Sequence, residues 1–123
     1  MDKELNSFVR QYLETALWSS NDESTPEGGE PFDANYSIED IAPEAIEQAI
    51  QDCTAFLEKA ATLLAEYDLE TAGHDFWLTR NHHGAGFWDG DYEKEDGETL
   101  TKLSQEFREL NPYLGDDGKI YFF

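Results

Sequence analysis

His74-Asp75-Phe76-Trp77-Leu78-Thr79-Arg80-Asn81-His82-His83-Gly84-Ala85-Gly86-Phe87-Trp88 is the stretch on which the fold turns. Gly73 interrupts the helical pattern before it. Residues 74–80 are aromatic and β-prone, Asn81-His82-His83-Gly84 is a turn signal, and Ala85-Gly86-Phe87-Trp88 returns as a second strand. The stretch therefore predicts a β-hairpin. Strict alternation sets Phe76 and Leu78 on one face and Trp77 on the other. The segment 20–36, with Phe32 and Tyr36, is expected to cover that second face, and Trp18 is expected in the core.

Working outward, Leu5, Phe8, Val9, Tyr12, Leu13, Ala16 and Leu17 recur at i, i+3, i+4 spacing and predict a helix over residues 3–18. Ser19 to Pro31 is polar and rich in turn formers. Ser37-Ile38-Glu39-Asp40 reads as a capped turn, and Pro43 suits a first helical position. A long helix follows to Tyr67, about 37 Å at the standard rise, with Ile46, Ala49, Ile50, Cys53, Phe56, Leu57, Ala60, Leu63 and Leu64 on its apolar stripe. Beyond a polar connection from Asp89 to Gly97, residues 98–110 predict a third helix, closed by Asn111-Pro112. Residues 113–123 predict a second hairpin, with Asp117-Gly118 at its turn. The expected fold is a single α+β domain over 1–123, order ααββαββ, with helices on a small antiparallel sheet made of two hairpins.

Charge narrows the function classes. The chain carries 28 acids against 8 bases, a formal net charge of −20. Such a surface repels DNA, RNA and anionic membranes and attracts basic proteins. The lone Cys53 excludes an internal disulfide, sits on the apolar stripe of the long helix, and suits a reducing cytoplasm. The first residues lack the pattern of a secretory signal, and no run approaches the roughly 20 apolar residues of a membrane helix.

The acids are concentrated between residues 21 and 70, where Lys59 is the sole base. Glu44, Glu47, Asp52, Glu58 and Glu66 fall on the outer face of the long helix. Carboxylates a turn apart have a spacing comparable to that of nucleic-acid phosphates, where the duplex carries one charge per about 1.7 Å of axis. The same face is also what a solvated helix needs, so charge alone names no partner. If the hairpin forms, His74, His82 and His83 come near Asp75, Asp89 and Asp91, types that hold transition metals, although adjacent His82 and His83 point apart in a turn. The run Asp89-Gly90-Asp91-Tyr92-Glu93 begins like a calcium loop, but Lys94 and Leu100 stand where the template needs Gly and Glu. There is neither a Gly-x-Ser-x-Gly elbow nor a phosphate-binding glycine loop. The reading is a non-catalytic binding protein without a cofactor or metal.

Four segments carry a resemblance. They are Ala16 to Ser24, Asn35 to Glu44, Ala72 to Asp89 and Tyr113 to Tyr121. Together they resemble a family of small acidic, mostly uncharacterised proteins encoded by bacteriophages and prophages. Relatives in that family tend to have Gly at the position of His82, which leaves His83 as the better histidine candidate. The resemblance implies expression in the cytoplasm of a bacterial host, with no established catalytic residues. By analogy of class and charge, such proteins act on host defence or nucleic-acid enzymes as DNA mimics, of anti-restriction or anti-CRISPR type. The expected partner is a basic, nucleic-acid-binding host or phage protein, met by Glu44, Glu47, Asp52, Glu58 and Glu66 and by Trp77, Arg80, His83 and Trp88 of the hairpin motif. Two alternatives accompany it: a small metal-dependent enzyme using His74, Asp75, His83 and Asp89, or a structural or assembly protein of the phage particle.

Overall fold

The computed structural model describes residues 3–22, 30–82, 86–87 and 92–123. Among them run, in chain order, α1 (Lys3–Ser19), β1 (Asn21–Asp22), β2 (Glu30–Pro31), α2 (Pro43–Leu64), α3 (Leu69–Arg80), α4 (Lys94–Gln105), β3 (Pro112–Leu114) and β4 (Ile120–Phe122). Short 3-10 turns at Phe32–Ala34 and Ile38–Asp40 link β2 to α2. The strands form two local antiparallel pairs, β1 with β2 and β3 with β4, and β4 also makes one isolated parallel bridge, Ile120 to Ile41.

The expected α+β fold with order ααββαββ is therefore wrong: residues 74–80 are helical, and the short β1–β2 pair falls in the stretch read as a polar loop. Residues 74–80 are the second half of α3, a helix packed chiefly on α1. Asp68 starts it: its carboxylate accepts from the Thr71 backbone N–H at 3.3 Å and the Thr71 hydroxyl at 2.7 Å. Ala72, Gly73 and every residue from Asp75 to Arg80 are buried. A helix enclosed on all sides has no polar face, so the amphipathic signature disappears and aromatic content reads as strand. Gly73 is no breaker here. A Cβ at this position would overlap the carbonyl oxygen of Phe8, so glycine is what lets α1 and α3 approach. The helix stops at Asn81 and at His82, which takes the left-handed φ of 56°. Of the supposed return strand, Phe87 is buried and its backbone N–H donates to Thr79 Oγ1 at 3.1 Å, while Ala85 and Trp88 lie outside the described residues.

The other elements follow their sequence signals more closely. α1 buries Phe8, Val9, Tyr12, Leu13, Ala16 and Leu17. Ser37 and Asp40 form the expected reciprocal cap, and Pro43 opens α2. α2 ends at Leu64, three residues short of the expected Tyr67. Its 22 residues span about 33 Å. α4 begins at Lys94 rather than Glu98 and ends at Gln105 rather than Leu110, so Phe107 and Leu110 pack from the segment after it. The C-terminal hairpin forms as read, with Leu114 opposite Ile120. It is fastened to the start of α2, where Ala42 N–H donates to the Ile120 carbonyl at 2.8 Å.

The core is aromatic at its centre. Phe56 of α2 and Phe76 of α3 stack at 4.1 Å between centroids, with Phe8, Phe87 and Phe107 around them. Cys53 is fully buried beside them, and burial pushes its thiol pKa well above the ordinary value, so it is no nucleophile.

Candidate partner-binding surface

Three placements define the candidate surface: the acids of α2, the buried motif of α3, and a groove beside α1.

On α2, Glu44, Glu47, Glu58 and Glu66 are exposed, Glu66 just past the last helical residue. Among the described residues none of these four is in a salt bridge, whereas Lys59 is drawn to Glu106 at 2.9 Å. Glu44 shares a small cleft with Arg108 and Tyr121. Asp52 departs from the expected row. It faces inward, with 16% of its side chain exposed, and accepts from Arg80 Nη1 at 2.8 Å. The outer face of α2 is thus split into Glu44 with Glu47 and Glu58 with Glu66, with about 17 Å of helix between Glu47 and Glu58.

Arg80 and Trp77 were read as partner contacts, and the structure places both inside, at 1% exposure each. A docking protein meets neither. Arg80 uses four of its N–H donations within the fold: Nη1 to Asp52 and to Tyr12 Oη at 3.0 Å, and Nε and Nη2 to the Arg108 carbonyl at 3.0 and 2.6 Å. Its planar head lies 5.7 Å from the Phe76 ring centroid and 5.3 Å from that of Phe107. The pair carries one charge of each sign, so the formal −20 stays with the rest of the molecule. Trp77 donates from Nε1 to Ser19 Oγ at 2.9 Å and packs edge-on to Tyr12. His83 and Trp88 lie outside the described residues.

The histidine constellation does not assemble as a hairpin. His74 sits on α3 and is hydrogen-bonded through Nδ1 to Thr15 Oγ1 at 2.9 Å. The Thr15 hydroxyl also lies 2.8 Å from the Gln11 carbonyl; donation there leaves its oxygen to accept from the Nδ1–H tautomer of His74. His82 is exposed and lies 3.5 Å from Glu109. Asp75 accepts from Tyr92 Oη at 2.9 Å. Burial, reinforced by the Asp75 carboxylate, holds the Tyr92 phenol far above its ordinary range, so it acts as a donor and not as a base. Among the described residues no three His, Cys, Asp or Glu side chains cluster as metal ligands, and Asp89 and Asp91 lie outside them. No helix among the described residues is long and apolar enough to cross a membrane.

The groove was not anticipated. It lies between the second half of α1 and residues 33–39 and has a volume of about 540 Å³. Trp18, expected in the core, stands on its wall with 57% of its surface exposed. The sequence held a signal for this: Trp18 follows Glu14 by four residues and Gln11 by seven, which sets it on the polar side of α1.

The chain has no match among protein-family models, curated proteins or solved structures.

Proposed function

We propose that this chain is an accessory protein that binds a basic, nucleic-acid-binding protein and occupies the surface its nucleic acid would take. The observation that carries the reading is the acidic face of α2, with Glu44, Glu47 and Glu58, and Glu66 just beyond it, exposed and in no salt bridge among the described residues, on a molecule of formal charge −20. A groove built for phosphates meets charges of the same sign there, and long-range attraction speeds encounter. The inward turn of Asp52 makes the mimicry two acidic pairs, and a partner with two separated basic patches suits them better than one with a continuous stripe. Within this proposal, the resemblance to small acidic phage proteins is what suggests a bacterial partner, with restriction, CRISPR and repair enzymes as the class to test. The test is affinity capture from bacterial lysate at low and high salt. Recovery of a nucleic-acid-binding protein, lost at high salt and lost in the Glu44→Gln, Glu47→Gln, Glu58→Gln, Glu66→Gln variant, supports the reading. Recovery of salt-insensitive partners alone, or of none that binds nucleic acid, overturns it.

A further inference from the structure

The groove beside α1 joins an exposed aromatic wall to an acidic rim. Trp18 is exposed at 57% in a fold that hides Trp77, Phe8, Phe56 and Phe76 completely or nearly so. Its indole is braced by His74, whose ring centre lies 5.7 Å away and whose Nδ1 is held by Thr15. Tyr36 contributes a second aromatic side chain to the lining. Three carboxylates, Glu14, Asp33 and Glu39, line the same space. Arg10 is its one strongly basic lining residue and is engaged by Glu14 at 3.3 Å. Asp33 and Glu39 are exposed and in no salt bridge among the described residues.

We infer that this groove receives an arginine side chain from the basic protein partner, stacked on Trp18 and paired with Asp33 and Glu39. The inference rests on the partner being basic, as proposed above, and adds where its anchoring side chain goes. An anionic ligand is opposed by three carboxylates against one guanidinium. A purely apolar ligand leaves those carboxylates facing it unsolvated. A guanidinium satisfies both halves of the lining, its flat face on the indole and its N–H groups toward carboxylates. Tryptophan in a concavity is also the side chain type that most often dominates an interface. Along the chain, Glu39 stands five residues before Glu44, so the groove lies within about 18 Å of the first acidic pair of α2. One basic segment spans both.

The experiment titrates the full ¹⁵N-labelled chain with a deca-arginine and a deca-lysine peptide at about 0.15 M salt, following the Trp18 indole N–H resonance and measuring affinity by calorimetry. The arginine peptide is expected to shift the Trp18 resonance. Trp18→Ala is expected to weaken it at least tenfold, and Asp33→Asn with Glu39→Gln several-fold. Both variants alter exposed side chains, and a thermal melt checks that each is folded. If the arginine peptide binds but these variants leave its affinity unchanged, the groove assignment is overturned while the basic-partner reading stands. Equal affinity for the lysine peptide overturns the stacked guanidinium. If neither peptide binds, both readings fall together.

Discussion

Arg80 Nη1 donates to Asp52 Oδ2 across 2.8 Å and so joins α3 to α2 inside the fold. The Arg80 side chain is 2% exposed; Asp52 is its salt-bridge partner among the described residues, and Tyr12 and the Arg108 carbonyl take three further N–H donations. Removing one partner of such a pair leaves an uncompensated buried charge. Asp52→Asn should therefore destabilise the protein by about 3 kcal/mol, the low end for a buried pair because Asp52 keeps some solvent contact. Glu47→Gln, on the same helix but exposed and unpaired, should change stability by about 0.5 kcal/mol or less. Urea unfolding of the two variants checks this. Equal midpoints would mean that the pair is ornamental.

Gly73 gives a second test of how α3 is seated. An added methyl there meets the Phe8 backbone, which cannot swing aside as a side chain can. Alanine is the better helix former by about 1 kcal/mol, and a solvent-exposed helix would gain from the change. Here overpacking should win, with a net loss of about 1–3 kcal/mol. Thermal unfolding of Gly73→Ala should show a midpoint lower by roughly 4 °C or more. An unchanged or raised midpoint would show that α1 and α3 are not so closely packed.

These two residues also show why the sequence was legible for some elements and not for others. α1 has a dry side and a wet side, so its apolar spacing announces both the helix and its buried residues. α3 has no wet side over its second half, and enclosure erased the periodicity that would have identified it. The cap at Asp68 and Thr71, the acid Glu70 in the first turn and the base Arg80 in the last were readable marks of a helix. They were outweighed by aromatic content and by a glycine taken for a break. The site suffered the same way. Treating residues 74–80 as a strand made Trp77 and Arg80 candidate partner contacts, whereas the helix buries both. Glu44, Glu47 and Glu58 are exposed on α2 as the pattern indicated, because a long two-sided helix exposes its charges wherever its stripe is clear, whereas Glu66 is exposed beyond the helix end. The Asp52–Arg80 pair spans 28 residues and depends on how two helices cross, which no local pattern encodes.

The C-terminal hairpin carries a pH-dependent lock. Tyr121 Oη donates to Asp117 Oδ2 at 2.6 Å, and Asp117 Oδ1 accepts from the Lys119 backbone N–H at 3.0 Å. Donation to the carboxylate pushes the Tyr121 phenol up to about 12, and the same bond, before the others, lowers Asp117. For the raised tyrosine, the stabilisation is complete below its ordinary value of about 10 and disappears as pH rises through about 12. For the lowered aspartate, it is complete above about 4 and disappears as pH falls through the depressed value. Tyr121→Phe should return the Asp117 midpoint toward the ordinary carboxylate range, read by NMR from its carboxyl carbon. An unmoved midpoint would show that the tyrosine does not hold the carboxylate.

The contrast between Trp18 and Trp77 is open to direct optical measurement. Trp18 has 57% of its surface exposed beside His74, while Trp77 is 1% exposed with its N–H bound to Ser19. A neutral quencher such as acrylamide needs contact with the indole, so it should quench Trp18 efficiently and leave Trp77 protected. In a Trp88→Phe background, which removes the third indole, Trp18→Phe should therefore remove emission at the red, quencher-accessible side and scarcely alter stability, since little surface is lost from the core. Trp77→Phe should remove blue, protected emission and cost about 1–3 kcal/mol, because the smaller ring leaves a cavity and Ser19 loses its donor. Quenching and urea unfolding of the two variants read both quantities on the same samples. If Trp77→Phe removed the accessible emission instead, α3 would be turned with its aromatic face outward, as a hairpin strand would have been.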